Sequence, residues 1–109
     1  PYDLVLELPV GDVFIEVKNT TSKRTVVMRY PQWKRFSQLS RRVFYIQDRE
    51  VGHGFLSCEA IARVAHIHVH AVNDQCKTVI FRVERKGSRL IPTPPAWCMT
   101  RCLGILQDQ

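Results

Sequence analysis

Residues 12–19, Asp-Val-Phe-Ile-Glu-Val-Lys-Asn, constrain the fold more than any other stretch of the chain. β-branched residues at every second position are the period-two pattern of a β-strand. Because successive side chains of a strand point to opposite faces, Glu16 and Lys18 share one face. We expect the opposite face to pack on the core, and it carries Val13, Ile15 and Val17.

A second acid lies upstream of this strand, across a turn near residues 9–11, Pro-Val-Gly. Residues 2–8 are predicted to form a strand, so Asp3 enters a hairpin with Glu16. An even turn, for instance Val10-Gly11, pairs Asp3 opposite Lys18 and diagonal to Glu16, about 7–8 Å away between Cα atoms. An odd turn would put Asp3 on the wrong face.

Two carboxylates and an exposed main-chain carbonyl, here that of Val17, suit a hard ion such as Mg²⁺ or Mn²⁺. Such an ion polarises a phosphate oxygen and lowers the pKa of a bound water. Lys18 would orient that water or offset charge in the transition state. Phosphodiester hydrolysis is the reaction class that follows. The competing interpretation is a solvated Glu16–Lys18 salt bridge, which contributes little energy.

The first half of the chain predicts three strands and a long helix. Residues 25–29 form a third strand, which completes an antiparallel meander. A helix then begins at residues 30–33, Tyr-Pro-Gln-Trp, with Pro31 in its first turn. We expect it to end at residues 47–50, with a buried stripe of apolar residues at helical spacing: Trp33, Phe36, Leu39, Val43 and Ile46.

The second half predicts a short helix at residues 58–63, capped by Ser57, and strands at residues 65–72 and 78–84. The prolines of residues 92–95 end any strand, and residues 96–106 form a short helix. Crossover through the long helix should bring residues 65–72 back parallel to a strand of the meander. The prediction is one domain, residues 1–109, with a mixed β-sheet of α/β class.

The chain is basic, with a net charge of +6 and a pI near 9.5. This balance favours phosphate backbones or other anionic surfaces as partners. If the partner is a nucleic acid, we expect DNA rather than RNA. No apolar run is long enough for a membrane span, and no secretory signal is visible. Four cysteines without a disulfide or zinc pattern favour an intracellular protein. The predicted phosphate contacts are Lys23, Arg24, Lys34, Arg35, Arg41 and Arg42.

The first part of the chain resembles the PD-(D/E)xK nuclease superfamily. The resemblance rests on Asp3-Leu4-Val5, the turn, the Glu16-Val17-Lys18 strand, the next strand and the helix carrying Gln32. The likeness covers residues 1 to about 48 and is strongest to the archaeal Holliday-junction resolvases. It implies a restriction-endonuclease-like fold, cleavage of branched DNA, Mg²⁺ and a homodimer. It also implies that Asp3 and Glu16 bind metal, that Lys18 is the catalytic lysine and that Gln32 belongs to the site.

The chain departs from the family at its start, because members usually carry a preceding helix that supplies a further acid. A second interpretation is a non-catalytic single-strand binder of the Whirly or transcriptional-coactivator type. It rests on a weak repeat in which residues 13–33 and 79–97 share the order strand, turn, strand, Pro, Trp. A third is a nuclease fold that has lost activity and serves as an interaction module.

Overall fold

The computed structural model describes residues 2–20, 23–64, 66–68 and 78–96. Within them the chain is a mixed α/β fold with one mixed and one antiparallel sheet. The predicted helix at residues 96–106 and most of the predicted strand at residues 65–72 lie outside the described residues. The elements are β1 (Leu4–Leu8), β2 (Gly11–Asn19), β3 (Thr25–Arg29), α1 (Tyr30–Ser37), β4 (Arg42–Gln47), β5 (Gly54–Ser57), α2 (Cys58–Val64), β6 (His66–His68), β7 (Thr78–Lys86) and β8 (Arg89–Thr93).

The first sheet has the strand order β1-β2-β4-β5. β1 and β2 form the predicted hairpin, with Leu8 opposite Gly11. β4 lies parallel to β2, so that Glu16 is beside Phe44, and β5 runs antiparallel to β4. A strand does return parallel to a member of the hairpin, but it is β4. The prediction that residues 65–72 take this place is wrong, since β6 pairs with β7.

A contact from Arg41, the residue immediately before β4, holds the turn between β1 and β2. The Arg41 guanidinium donates a hydrogen bond to the Val10 carbonyl. Gly11 follows with φ of 128°, a conformation that L side chains rarely adopt, and a Cβ there would lie 2.5 Å from Nη1 of Arg41. The turn thus fixes both the hairpin and the start of β2.

The second sheet contains β3, β7 and β6 in that order, and β8 also pairs with β7. The predicted three-strand meander is therefore wrong, because β3 leaves the hairpin and pairs with β7. The apolar side chains of Val26 and Met28 bring β3 into the core, where they are almost fully buried. β7 confirms the predicted strand at residues 78–84.

The prolines of residues 92–95 end the preceding strand as predicted, although β8 runs past the first of them to Thr93. Pro92 lies within β8, opposite Val83. β8 pairs only with β7 among the described strands, and a proline is tolerated on such an edge because its missing N–H is not needed there.

The long helix predicted from residues 30–33 to residues 47–50 is in the structure a short helix, α1, followed by a strand, β4. α1 ends at Ser37, whose hydroxyl donates to the carbonyls of Trp33 and Lys34 at 2.8 and 3.1 Å and so competes with the helix. Residues 43–46, Val-Phe-Tyr-Ile, are strong strand formers and build β4 instead. The buried stripe is therefore helical only at its start, and Val43 and Ile46 are wrongly assigned to it.

The hydrophobic core lies between the two sheets and the two helices. Phe36 of α1, Phe44 of β4 and Phe81 of β7 are fully buried, and Phe44 lies edge to face against each of the other two rings. α2 adds Ile61, and its first turn is capped as predicted, because Ser57 Oγ accepts a hydrogen bond from the Ala60 N–H at 3.1 Å.

The first sheet has two faces of different character. Its inner face looks toward the core and carries Phe14, Glu16, Lys18, Phe44, Ile46 and Leu56. The prediction that the β-branched face of β2 packs on the core cluster is wrong, since the Glu16 face does so, but Ile15 of the β-branched face is also buried, at 8% exposed. The outer face carries the alternate positions, which the strand pairing brings together: Leu4, Leu6, Leu8, Val13, Ile15, Val17, Val43, Tyr45 and Phe55.

Candidate active site

Glu16 is the centre of a polar cluster on the inner face. Its Oε1 accepts a 2.8 Å hydrogen bond from Nε2 of Gln32 and lies 3.5 Å from Nζ of Lys18. Gln32 stands in the first turn of α1, where Pro31 fixes the helix start. The residue Glu16 is only 3% exposed, so this is not the solvated salt bridge of the competing interpretation.

Asp3 reaches the cluster through the backbone of β2. Its N–H donates to the Ile15 carbonyl at 3.0 Å, and its Oδ2 accepts from the Val17 N–H at 2.8 Å. The turn is even, as the site requires, but it falls at residues 9–10 and not at residues 10–11. The predicted pairing of Asp3 with Lys18 is therefore wrong, and Asp3 instead contacts the two backbone neighbours of Glu16.

The electrostatics of Glu16 link these groups. Burial raises the pKa of the Glu16 carboxyl above its ordinary value, and the negative charge of Asp3 raises it further. The Lys18 ammonium acts in the opposite direction through its charge and its hydrogen bond, without reversing the shift. The carboxylates of Asp3 and Glu16 repel each other, and Glu16 is buried. A cation bound between them would therefore stabilise this arrangement.

An open cleft of about 400 Å³ gives access to this cluster. Asp3, Glu16 and Gln32 line it, and so do Arg29 and Arg35. Arg29 was missed by the sequence analysis, which treated it only as the end of a strand. The sequence did contain a sign that Arg29 belongs to the site. Arg29 immediately precedes the Tyr30-Pro31 helix start, and a residue at a helix start lies beside the first-turn Gln32.

The donor set fits a small hard cation of the Mg²⁺ type. Asp3 and Glu16 supply carboxylate oxygens, and Mg²⁺ commonly uses one or two carboxylates and keeps several waters. The Val17 carbonyl points to the same side of β2 as its N–H, which bonds Asp3, so it faces this group. Among the described residues no group of three or more His, Cys, Asp or Glu side chains is placed to hold a metal.

The six predicted phosphate contacts divide into two groups. Lys23, Lys34 and Arg35 are exposed, and Arg35 lines the cleft. The other three are bonded to groups of the protein itself, Arg24 to Glu50, Arg41 to the Val10 carbonyl and Arg42 to Glu59, although Arg41 is exposed and the other two are half-buried.

A larger cavity of about 570 Å³ lies outside the carboxyl ends of the parallel strands β2 and β4. Asp48 organises its floor, because its Oδ1 accepts from the N–H groups of Glu50 and Val51 at 2.6 and 2.9 Å. Thr20 donates its hydroxyl to the other oxygen. His53 also lines the cavity, and its Nδ1 is hydrogen bonded to the Tyr45 hydroxyl at 2.6 Å. No predicted catalytic residue lines this cavity.

Comparison with known proteins gives no relative: no family model matches the chain, and no curated protein or solved structure matches it significantly. Function must therefore be argued from the site itself. Among the described residues, no helix is long and apolar enough to cross a membrane.

Proposed function

We propose that this chain is a divalent-metal-dependent endonuclease that hydrolyses phosphodiester bonds in nucleic acid. The observation that carries the proposal is the convergence of Asp3, Glu16, Lys18 and Gln32 from three separate elements on one inner-face cluster, with Glu16 buried. A buried carboxylate with a raised pKa beside a second acid costs stability, and such arrangements concentrate at functional sites.

Asp3 and Glu16, with the Val17 carbonyl, would hold Mg²⁺ or Mn²⁺. The ion would supply Lewis acidity toward a phosphate oxygen and a water of lowered pKa. Gln32 fixes the Glu16 carboxylate by its hydrogen bond, and the Asp3 carboxylate is fixed by the Val17 N–H. Lys18 brings a positive charge to the cluster, which stabilises the negative charge that develops on the phosphate.

The substrate class follows from the charge around the cleft. Arg29 and Arg35 flank the two carboxylates, and Lys34 is exposed on the same helix as Arg35. These cations would bind phosphates without reading bases. We further propose DNA, branched DNA in particular, as the substrate. The support for this, and for a restriction-endonuclease-like fold, is the resemblance of the first 48 residues together with the hairpin and its parallel neighbour β4.

The test is cleavage of four-way junction, duplex and single-stranded DNA with Mg²⁺, with Mn²⁺ and with EDTA. We expect cleavage with either ion, none with EDTA, and loss of cleavage in Glu16→Gln and Asp3→Asn. Glu7→Gln is the matched control, because Glu7 is an exposed acid of the same hairpin. This variant should cleave DNA like wild type. Binding without cleavage under every ion would overturn the nuclease proposal in favour of the single-strand binder.

A further inference from the structure

Tyr2 is an exposed aromatic residue that lines the same open cleft as Asp3 and Glu16. It is 43% exposed, and its ring lies 4.8 Å from the Phe14 ring, measured between centroids, at an angle of 50°. Phe14 in turn packs against the buried core cluster. Aromatic pairs in such tilted contact are stabilising beyond the area that they bury. The Tyr2 ring is therefore anchored to the core through Phe14 and open to the cleft.

The position of Tyr2 follows from its place just before the first strand. β1 begins at Leu4, so the alternation that sends Leu4 to the outer face does not extend to Tyr2. The next residue, Asp3, is bound to the backbone of β2 through both its N–H and its carboxylate. The contact with Phe14 then places the Tyr2 ring on the inner face, beside the Glu16 cluster.

The proposed metal chemistry assigns no role to this tyrosine. Within the part of the chain that the structure describes, its hydroxyl makes no hydrogen bond to another residue. The ring is thus an apolar surface in a cleft whose other lining residues are mostly charged or polar. Nucleobases stack on aromatic side chains of this kind, and they do so irrespective of sequence because every base has a π-face.

We propose that Tyr2 is the stacking platform for one unpaired nucleobase of the DNA, so that the cleft takes a nucleotide that is not stacked within a duplex. This inference rests on the proposed function, because it takes DNA as the substrate and refines which part of it enters the cleft. Inside a duplex both faces of a base are covered by its neighbours, and exposing them requires unstacking. Tyr2 therefore finds a partner at a strand end, a gap, a flap or a branch point.

The remaining lining of the cleft suits the rest of such a nucleotide. Arg29 and Arg35 are exposed there, and neither has an ion pair with another described residue, so both are available to the flanking phosphates. The cleft volume of about 400 Å³ lies within the roughly 300–1,000 Å³ of small-ligand pockets. A duplex would be held through the two arginines alone, and Tyr2 would contribute nothing to its binding.

The experiment compares two single strands that carry the same charge: a short oligothymidylate, and a deoxyribose phosphate oligomer of the same length without bases. Fluorescence anisotropy measures both affinities, with EDTA and again with Ca²⁺ in place of Mg²⁺. Wild type should prefer the strand with bases at least about fivefold, the low end of what the stacking of one base contributes.

Tyr2→Leu should bind the two strands equally, whereas Tyr2→Phe should keep the preference because it keeps the ring. Phe55→Leu is the matched control, since Phe55 is an aromatic residue, 61% exposed, that does not line the cleft. It should behave like wild type. A blunt duplex should bind equally well to wild type and to Tyr2→Leu, because its bases are covered. Circular dichroism checks the fold of each variant.

Equal affinity of wild type for the two strands, or no binding of either, would overturn the proposal. So would a preference that Tyr2→Leu retains, or a loss in Tyr2→Leu that is as large for the duplex as for the single strand. Binding is measured without cleavage, so this inference and the nuclease proposal fail separately. Protein that cleaves DNA but does not distinguish the strands loses the stacking platform alone. Protein that prefers the strand with bases through Tyr2 but cleaves nothing loses the nuclease alone.

Discussion

Nε2 of Gln32 donates a 2.8 Å hydrogen bond to Oε1 of Glu16, and this single contact ties the first turn of α1 to the middle of β2. Glu16 is buried and Gln32 is half-buried, so the bond is part-buried, at the wall of the open cleft. The orientation of the acid therefore depends on a helix that begins more than ten residues after its strand ends.

Replacing Gln32 by Ala should loosen the Glu16 carboxylate without unfolding the protein. Residues that orient metal ligands typically change metal affinity by about 10–100-fold, and we expect a loss in that range. Titration of Mn²⁺ by calorimetry measures it directly. Gln38→Ala is the control, since Gln38 follows the same helix and is exposed. Unchanged Mn²⁺ affinity in Gln32→Ala would remove Gln32 from the site.

Lys18→Ala separates catalysis from metal binding. The ammonium lies 3.5 Å from Glu16 and carries charge that a reacting phosphate needs. Its removal should abolish cleavage at saturating Mg²⁺ while DNA is still bound in the presence of Ca²⁺. Filter binding and cleavage on the same junction measure the two properties. Lys86→Ala is the control, because Lys86 is an exposed lysine at the end of β7. Full cleavage by Lys18→Ala would contradict the assigned role.

Glu16→Gln should stabilise the metal-free protein at neutral pH. Burial, and then the charge of Asp3, raise the pKa of Glu16 in the folded protein. The protonated Glu16 therefore contributes its full stabilisation below the ordinary glutamate pKa, about 4.3. That stabilisation is lost as the pH rises through the raised pKa. Above that window the buried charge is a cost that glutamine removes. Thermal unfolding in EDTA from pH 4 to 8 should show an advantage for the variant that grows with pH. A lower melting temperature than wild type at pH 8 would refute it.

Asp48 should show the opposite pH dependence. The pKa of its carboxyl is lowered overall: burial raises it, but the hydrogen bonds from Thr20, Val51 and Glu50 outweigh that effect. Its contribution to stability is therefore present above the ordinary aspartate value and lost as the pH falls through the lowered one. Asp48→Ala should cost about 1–2 kcal/mol in urea unfolding at pH 7. The difference should shrink on acidification, and a constant difference would contradict this account.

Arg35 and Arg42 should differ in what their loss changes. Arg35 is exposed in the cleft, so Arg35→Gln should weaken DNA binding and reduce the log–log salt slope by about 0.9. Arg42 donates to Glu59 and to the Leu39 carbonyl, both at 2.8 Å, so Arg42→Gln should lower stability and leave the slope unchanged. Fluorescence anisotropy at several salt concentrations decides, and an unchanged slope in Arg35→Gln would remove the cleft as a phosphate path.

Much of the local structure could be predicted from the sequence because it is set by neighbouring residues. The alternation of residues 12–19 specifies β2, and the Pro9-Val10-Gly11 turn specifies its hairpin. Ser57 marks the start of α2, and Pro31 that of α1. The prediction that Glu16 and Lys18 share a face is confirmed, because any strand requires it.

Tertiary structure decided what those local patterns leave open. Residues 43–46 satisfy both a helical spacing and a strand composition, and pairing with β2 selected the strand. Both faces of β2 hold apolar residues, so the alternation of side chains could not reveal which face meets the core. The Glu16 face meets it because α1 and the second sheet pack on that side. The resemblance placed Gln32 in the same site as Glu16, but the residue pattern alone could not predict their hydrogen bond. A strand pattern determines which way a side chain points, and only packing determines which residue stands opposite it.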